Sequence, residues 1–474
     1  MRGFFLIFFL WAVIYLPFLS SREIDRGEAR RLIPAAEMIK HSDYVNPFYA
    51  GSYYYTKPPM VYWIIAANYT LFDNFSLFTG RFAIAATTLT LALLAYFLSL
   101  SIFNKKAEKL LPGLPIVLIL LSFGLLNHGR EATMESAYMM LSVLTTFSWL
   151  YFYTKENSKL QWIVPGLFIG LALLTKGPFL LLPFYIFVIS LLYFKKEIKS
   201  FFSIYHLYAI AIASVIFLFW YFQIDSTLKE SVASTFKKEM LMRLIPNDLT
   251  ITKKLGRIFA SLILFLPTIL PTLLLLNKNI RKKVLGELND NELNILKSSI
   301  ISCILTYLLI NLLPLAKARY LFITAPMPMI SSTLVLIALS DNKNAIKRNS
   351  IFIKRAVLII TAAITITFSI IGLFFNNKEK YALPAKQLMN SIPNDAKLYL
   401  LSPLREPFIF YLEKQIAFTN YQNIKIGQFV LSKKANLNKL RNRLREYRKT
   451  FIVIKKIKVK DEDIVITKIK DLKG

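Results

Sequence analysis

The sequence predicts a polytopic α-helical membrane protein with a small α/β domain at its C-terminal end. Three observations lead there. Of the 474 residues 55% are hydrophobic, with mean hydropathy +0.47, and they come in long blocks. The segments between the blocks are short and hold many of the lysines and arginines. From about Ala382 the apolar blocks shorten, and strand-like runs alternate with helical ones.

Windows of roughly 19 residues place spans near 3–20, 79–103, 112–128, 134–153, 161–175, 178–194, 206–224, 256–276, 299–314, 319–340 and 353–375, about eleven within a range of 9–13. The opening MRGFFLIFFLWAVIYLPFLSS is long and bulky for a signal peptide and reads as an uncleaved first span. Residues 59–72 read as a re-entrant or interfacial helix. The loops around 104–110, 155–159, 195–199, 277–298 and 341–355 are persistently basic, which places them in the cytoplasm. The opposite set, 21–78, 129–134, 176–178, 225–255, 315–319 and the tail, then faces outside and holds the unusual polar clusters.

The expected organisation is therefore a transmembrane domain over 1–380, with external loop 21–78 carrying its acids, and an outer α/β domain over 381–474. Strands are expected at KLYLLS (397–402), TFIVIKK (450–456) and DIVITKI (463–469), with helices near 404–414 and 436–447. That domain has no glycine-rich phosphate loop and no His or Cys cluster, so it is assigned no chemistry.

The net charge of +31 does not indicate nucleic-acid binding, because the cations sit in loops and a basic tail that suit an anionic bilayer. The single cysteine, Cys303, excludes an intrachain disulfide and a thiolate metal cluster. The three histidines, His41, His128 and His206, are scattered and give no metal-site spacing.

Four clusters could carry chemistry. SREIDRGEARRLIPAAEM (21–38) follows the first span; Ala29 to Lys40 reads as a surface helix with Leu32, Ala35, Ala36 and Ile39 on its apolar side. Asp25 and Glu28 are then either caps of that helix or a general base or metal ligand at the bilayer surface. Glu135, in NHGREATMESAYMM, is either a helix-start cap or a second acidic position that shares a metal or divides acid and base duties with the first. Lys57 (YYYTKPPMVYW), Lys176 (LTKGP), Lys317, Arg319 and Tyr320 (LAKARYLF), and Glu239 and Arg243 stand at span boundaries. Singly the cations are interfacial snorkellers; together they suit a phosphate. Tyr53, Tyr54 and Tyr55 form either an interfacial aromatic belt or a sugar-stacking platform.

In this order these motifs resemble the bacterial lipid-linked glycosyltransferases of the GT-C superfamily, in the branch of the aminoarabinose transferase ArnT and the protein O-mannosyltransferases. The likeness rests on IDRGEARRLIPAAEM, HSDYVNP, YYTKPPMVYW, the pair Gly80 and Arg81, Glu135, LTKGP, the Glu/Arg segment at 239–243 and AKARYLF, and covers about residues 1 to 330. It implies transfer of a sugar from a polyprenyl-phosphate donor to lipid A or another envelope acceptor, at the outer face of a bacterial inner membrane. It also implies catalytic roles for Asp25, Glu28 and Glu135, donor-phosphate contacts from Lys57, Lys176, Lys317, Arg319 and Arg30, and substrate contacts from Tyr55, Tyr320, Glu239, Arg243 and Arg81. A divalent metal at Asp25 or Glu135 stays open. The family pattern Asp-Glu-x-Arg reads Gly27, Glu28, Ala29, Arg30 here, so the aspartate's duty falls to Asp25, to Glu28, or is lost. The reading favours Asp25 with Glu28 in support. A protein O-glycosyltransferase and a flippase for lipid-linked sugars are the alternatives.

Overall fold

A computed structural model describes residues 2–49, 52–103, 114–241, 268–313, 317–339, 380–393, 396–400, 404–412, 416–418 and 422–472, with scattered positions within 256–263 and 359–370. The helices run α1 (Arg2–Tyr15), α2 (Arg26–His41), α3 (Met60–Phe72), α4 (Leu77–Phe103), α5 (Leu114–Leu120), α6 (Phe123–His128), α7 (Glu135–Thr154) and α8 (Ser158–Leu173). A 3-10 turn at Pro178–Leu180 leads to α9 (Leu181–Phe194), α10 (Ile204–Gln223), α11 (Ser226–Leu241), α12 (Lys278–Glu287) and α13 (Asp290–Leu312). A further 3-10 segment, Ala318–Thr324, leads to α14 (Pro326–Leu339).

The fold is that of a polytopic helical membrane protein. Helices fill the spans expected at 79–103, 134–153, 161–175, 178–194, 206–224 and 299–314. Three described helices, α4, α10 and α13, are singly long and apolar enough to cross a bilayer. The 112–128 span is divided into α5 and α6, and the segment at 319–340 bends by 54° between Ala318–Thr324 and α14. The basic stretches 104–110 and 341–355, and most of the 353–375 span, lie outside the described residues.

The chain forms two compact units: Met1–Pro17 with Tyr55–Ile64 and Arg81–Thr367, and Phe18–Tyr54 with Ile65–Gly80 and Phe368–Gly474. In the first unit α8 packs on α7 and α10, and α13 on α9 and α14. The close approach of α8 to α10 is written in small residues. A Cβ at Gly166 would lie 2.8 Å from Ala209 Cα, and one at Gly170 would lie 3.2 Å from Ala213 Cα. Glycines four apart on α8 thus face alanines four apart on α10, an arrangement that lets apolar helices touch without a hydrophobic driving force. Side-chain hydrogen bonds tie other elements: Trp11 Nε1 donates to Ala85 O at 2.9 Å, Ser142 Oγ to Ile323 O at 2.6 Å and Ser302 Oγ to Pro183 O at 2.7 Å.

In the second unit the C-terminal domain is a five-stranded sheet. Its strands are β3 (Leu398–Leu400), β4 (Ile416–Phe418), β5 (Phe429–Lys433), β6 (Lys449–Val459) and β7 (Glu462–Asp471), in the order β4-β3-β5-β7-β6; β1 (Phe48–Tyr49) and β2 (Ser52–Tyr53) form a separate hairpin. β3 runs parallel to β4 and β5, and β7 is antiparallel to β5 and β6. Among the described residues three helices belong to it, α15 (Ala382–Met389), α16 (Glu406–Phe410) and α17 (Leu437–Arg445). Leu440 and Leu444, one turn apart on α17, close a core with Ile424, Val430 and Ile469. Three strands and two helices of this domain stand where the sequence placed them; β4 and β5 were not anticipated.

Candidate active site

In the first unit, three chain segments far apart in sequence meet at one carboxylate. Glu135 opens α7, where the preceding Met134 offers no side chain able to cap. Its Oε1 accepts a hydrogen bond from Lys176 Nζ at 3.3 Å and lies 3.2 Å from Arg319 Nε, an ion pair without hydrogen-bond alignment. The side chains of Glu135 and Lys176 are 4% and 7% exposed, that of Arg319 36%. Two cations against one carboxylate leave a net charge of +1 in a largely dry site.

Local sequence explains how Lys176 arrives there. Gly177 takes φ +94, a left-handed conformation open to glycine, and Pro178 starts the 3-10 turn that follows. The apolar run therefore breaks just after Lys176. Tyr138, three residues beyond Glu135 on the same face of α7, braces that break: its hydroxyl donates to Gly177 O at 2.6 Å and accepts from Leu180 N at 2.9 Å. Lys176 Nζ also stands 4.8 Å from the Tyr320 ring centre and 5.8 Å from that of Tyr138, within cation–π range, and Tyr320 stacks on Phe179. Sequence reading missed Tyr138; its spacing from Glu135 was the available signal.

Of the other expected site residues in this unit, Tyr55 and Arg81 are buried, Lys57 is half-buried and Lys317 is exposed ahead of the Ala318–Thr324 turn. Glu239 lies on α11 and its side chain is outside the described residues, as is the whole of Arg243. Arg130, from the cluster that contains Glu135, donates to the carbonyls of Ile14 and Pro17, holding the end of α1.

In the second unit the acids of the opening loop have structural partners. Asp25 caps α2: its Oδ1 accepts from Glu28 N at 2.7 Å, and Glu28 Oε2 accepts in return from Asp25 N at 3.3 Å, a capping box. This cap starts α2 at Arg26, three residues before the expected Ala29. Glu28 is fully buried, with Arg22 at 3.8 Å, whereas Asp25 is exposed. A Cβ at Gly27 would lie 3.2 Å from Asp25 Oδ1, so glycine leaves the capping carboxylate its room. Glu23 accepts from the backbone N–H groups of Tyr381 and Ala382 at 2.6 and 3.0 Å, at the start of α15.

Arg30, expected at the donor phosphate, instead meets a carboxylate that the sequence did not single out. Glu406 of α16 accepts from Arg26 Nε at 2.7 Å and from Arg30 NH2 at 2.9 Å. Burial opposes its charge, yet these hydrogen bonds, with one from its own backbone, hold the Glu406 carboxyl below the ordinary carboxylate range. A divalent ion suits neither acid well. Glu135 is engaged by two cations, Asp25 Oδ1 is committed to its cap, and among the described residues no three His, Cys, Asp or Glu side chains converge as a ligand set.

Residues 3–227 match the family model described as dolichyl-phosphate-mannose-protein mannosyltransferase. An uncharacterized protein of Aquifex aeolicus is 31% identical over 144 residues, covering 30% of this chain and 28% of its own length. An undecaprenyl phosphate-alpha-4-amino-4-deoxy-L-arabinose arabinosyl transferase of Aeromonas salmonicida is 27% identical over 179 residues, 37% of this chain. The match covers 31% of that relative, so the likeness in sequence spans about a third of its length. In three dimensions, ArnT from Cupriavidus metallidurans, in a crystal structure with undecaprenyl phosphate bound, aligns over 97% of both chains with TM-score 0.68 and 14% identity. The chain thus shares the fold of this polytopic membrane protein, including a small C-terminal sheet domain. In sequence, the likeness to the mannosyltransferase model and to the arabinosyl transferases lies in part of the chain, residues 3–227 for the family model.

Proposed function

We propose that the chain is an integral-membrane glycosyltransferase that moves a sugar from a polyprenyl-phosphate donor to an envelope acceptor, lipid A or another glycan, at the periplasmic face of a bacterial inner membrane. The observation that carries this reading is the dry cluster of Glu135, Lys176 and Arg319, assembled from three distant segments and walled by Tyr138 and Tyr320. A net positive, preorganised cluster at span boundaries suits the phosphate of a lipid anchored in the bilayer. Glu135 then serves as the positioning residue that holds Lys176 and Arg319 together, and the two cations take the phosphate, with Lys57 and Lys317 as further contacts.

In the reaction the acceptor oxygen attacks the anomeric carbon, and the bond from that carbon to the phosphate oxygen breaks. The electron pair leaves with the polyprenyl phosphate, where Lys176 and Arg319 offset the developing charge. A single displacement inverts the anomeric centre. The proton of an acceptor hydroxyl passes to Asp25, with Glu28 in support. An acceptor phosphate needs no base, and positioning alone then carries the rate.

Transfer of labelled sugar from a polyprenyl-phosphate donor in vesicles tests this. Lys176→Ala and Arg319→Ala are expected to lower transfer by at least about tenfold each, the scale of one lost charged hydrogen bond. Full transfer in both variants would falsify the phosphate assignment. The breaks at Gly177 and before α14 also suit a transporter, whose sites use interrupted helices. Lipid translocation without any transfer in the wild type would favour that reading.

A further inference from the structure

The second unit contains a cavity of about 820 Å³, bounded by the opening loop and by the C-terminal sheet domain. Its volume is that of a small-molecule site. Six cations and four carboxylates line it, a surplus of two positive charges. Each of the four acids already has hydrogen-bond donors. Asp25 caps α2 and Glu23 caps α15, while Glu406 takes Arg26 and Arg30. Glu462 takes Lys433 at 2.8 Å and Arg405 at 3.6 Å. Among the described residues Lys380 and Lys460 form no ion pair, so their charges are available to a ligand.

Two further observations point to an occupant. Lys460 sits at the tip of the β6–β7 hairpin with φ +58, a left-handed position that Gly, Asn or Asp would fill with less strain. A lysine there is costly for the turn and places a cation at the cavity. Tyr49, at the end of β1, also lines the cavity, and its hydroxyl is buried without a hydrogen-bond partner among the described residues. A buried hydroxyl in a polar cavity lacks a partner that a ligand hydroxyl can supply.

We propose that this cavity binds the phosphorylated sugar headgroup of the acceptor, with Lys380 and Lys460 on the phosphate and the Tyr49 hydroxyl on the sugar. The C-terminal domain, which has no catalytic motif, is on this view the acceptor-recognition module. A phosphomonoester is favoured over a carboxylate because it accepts from several point charges at once, and the two lysines offer such charges without a fork. The inference deepens the transferase reading and rests on it for the word acceptor, but the cavity's affinity for a sugar phosphate does not depend on transfer.

Binding of glucose 1-phosphate to the full-length protein, in phosphatidylcholine nanodiscs with undecaprenyl phosphate saturating the donor site, tests the proposal by calorimetry. The wild type is expected to bind the sugar phosphate more tightly than inorganic phosphate, and glucose not measurably. The double variant Lys380→Ala/Lys460→Ala should weaken sugar phosphate about tenfold or more. Tyr49→Phe should weaken sugar phosphate but leave inorganic phosphate unchanged. Both lysines are exposed, so an unaltered thermal transition is the control for folding. Equal affinity of wild type and double variant, or no binding by the wild type, overturns the site. Equal binding of inorganic and sugar phosphate overturns the sugar contact. Because no donor sugar is present, a negative result here leaves the transfer assay to stand or fall separately.

Discussion

Asp25 and Glu135 both stand at the start of a helix, and the two carboxylates do different work. Asp25 is exposed and closes a reciprocal capping box within its own first turn. Glu135 is buried, caps nothing, and binds cations delivered by segments about 40 and 180 residues further along the chain. The difference lies in what water can do for each charge. An exposed carboxylate needs no partner and can be spent on a local cap. A buried one must be matched by charge brought from elsewhere, and that requirement fixes the geometry of the surrounding helices.

The comparison is broken most sharply at Glu135. Glu135→Ala leaves Lys176 and Arg319 facing each other with no counter-charge, and removing one member of a buried pair costs about 3–5 kcal/mol. The variant is expected to lose its cooperative thermal transition in detergent or shift it strongly downward. Glu135→Gln keeps a hydrogen-bond acceptor for Lys176 and should fall between wild type and Glu135→Ala. A transition unchanged in both would mean that the cations are stabilised by something other than Glu135.

At Asp25 the expected loss is smaller and separates two roles. Asp25→Ala removes the cap and should cost about 0.5–2 kcal/mol, while Asp25→Asn retains capping ability at nearly full strength. If Asp25 also receives the acceptor proton, Asp25→Asn should keep the thermal transition of the wild type yet lose most transfer to a hydroxyl acceptor. A stable, fully active Asp25→Asn would assign the residue to the cap alone and shift the proton to Glu28 or to no base at all.

Local signals in the chain were legible, and long-range ones were only partly so. Hydropathy blocks located helices such as α4, α10 and α13, because burial in lipid constrains composition over a whole span. LTKGP announced a helix break, since Gly177 and Pro178 carry their backbone preferences with them. Charge at span boundaries drew attention to Glu135, Lys176 and Arg319, and the family resemblance grouped the two cations at one phosphate, but that Glu135 bridges them follows from tertiary packing alone. Tyr138 and Glu406 were missed for the same reason: each gains its role from a partner distant in sequence, Gly177 and Leu180 for one, Arg26 and Arg30 for the other. The glycine-to-alanine seam between α8 and α10 was not anticipated, because no single helix says which neighbour it will meet.

The smallest expected effect lies between these extremes, at Glu406. Its carboxylate is mostly buried but its arginine partners are exposed, at 69% for Arg26 and 38% for Arg30, so solvent screens the pair. The contribution is then about 1 kcal/mol or less. Burial would raise the Glu406 pKa, and the hydrogen bonds from Arg26, its own backbone and Arg30 outweigh burial to lower it. With the folded pKa below the unfolded value of about 4.3, the stabilisation is fully present above that pH and fades as pH falls through the depressed value. Above pH 6 the wild type should therefore exceed Glu406→Gln in thermal stability by a small, constant margin, and the margin should shrink on acidification and with added salt. A margin that grew toward low pH would mean that Glu406 is held protonated by burial, placing it with Glu135 among charges that the protein must neutralise and not among those that water supports.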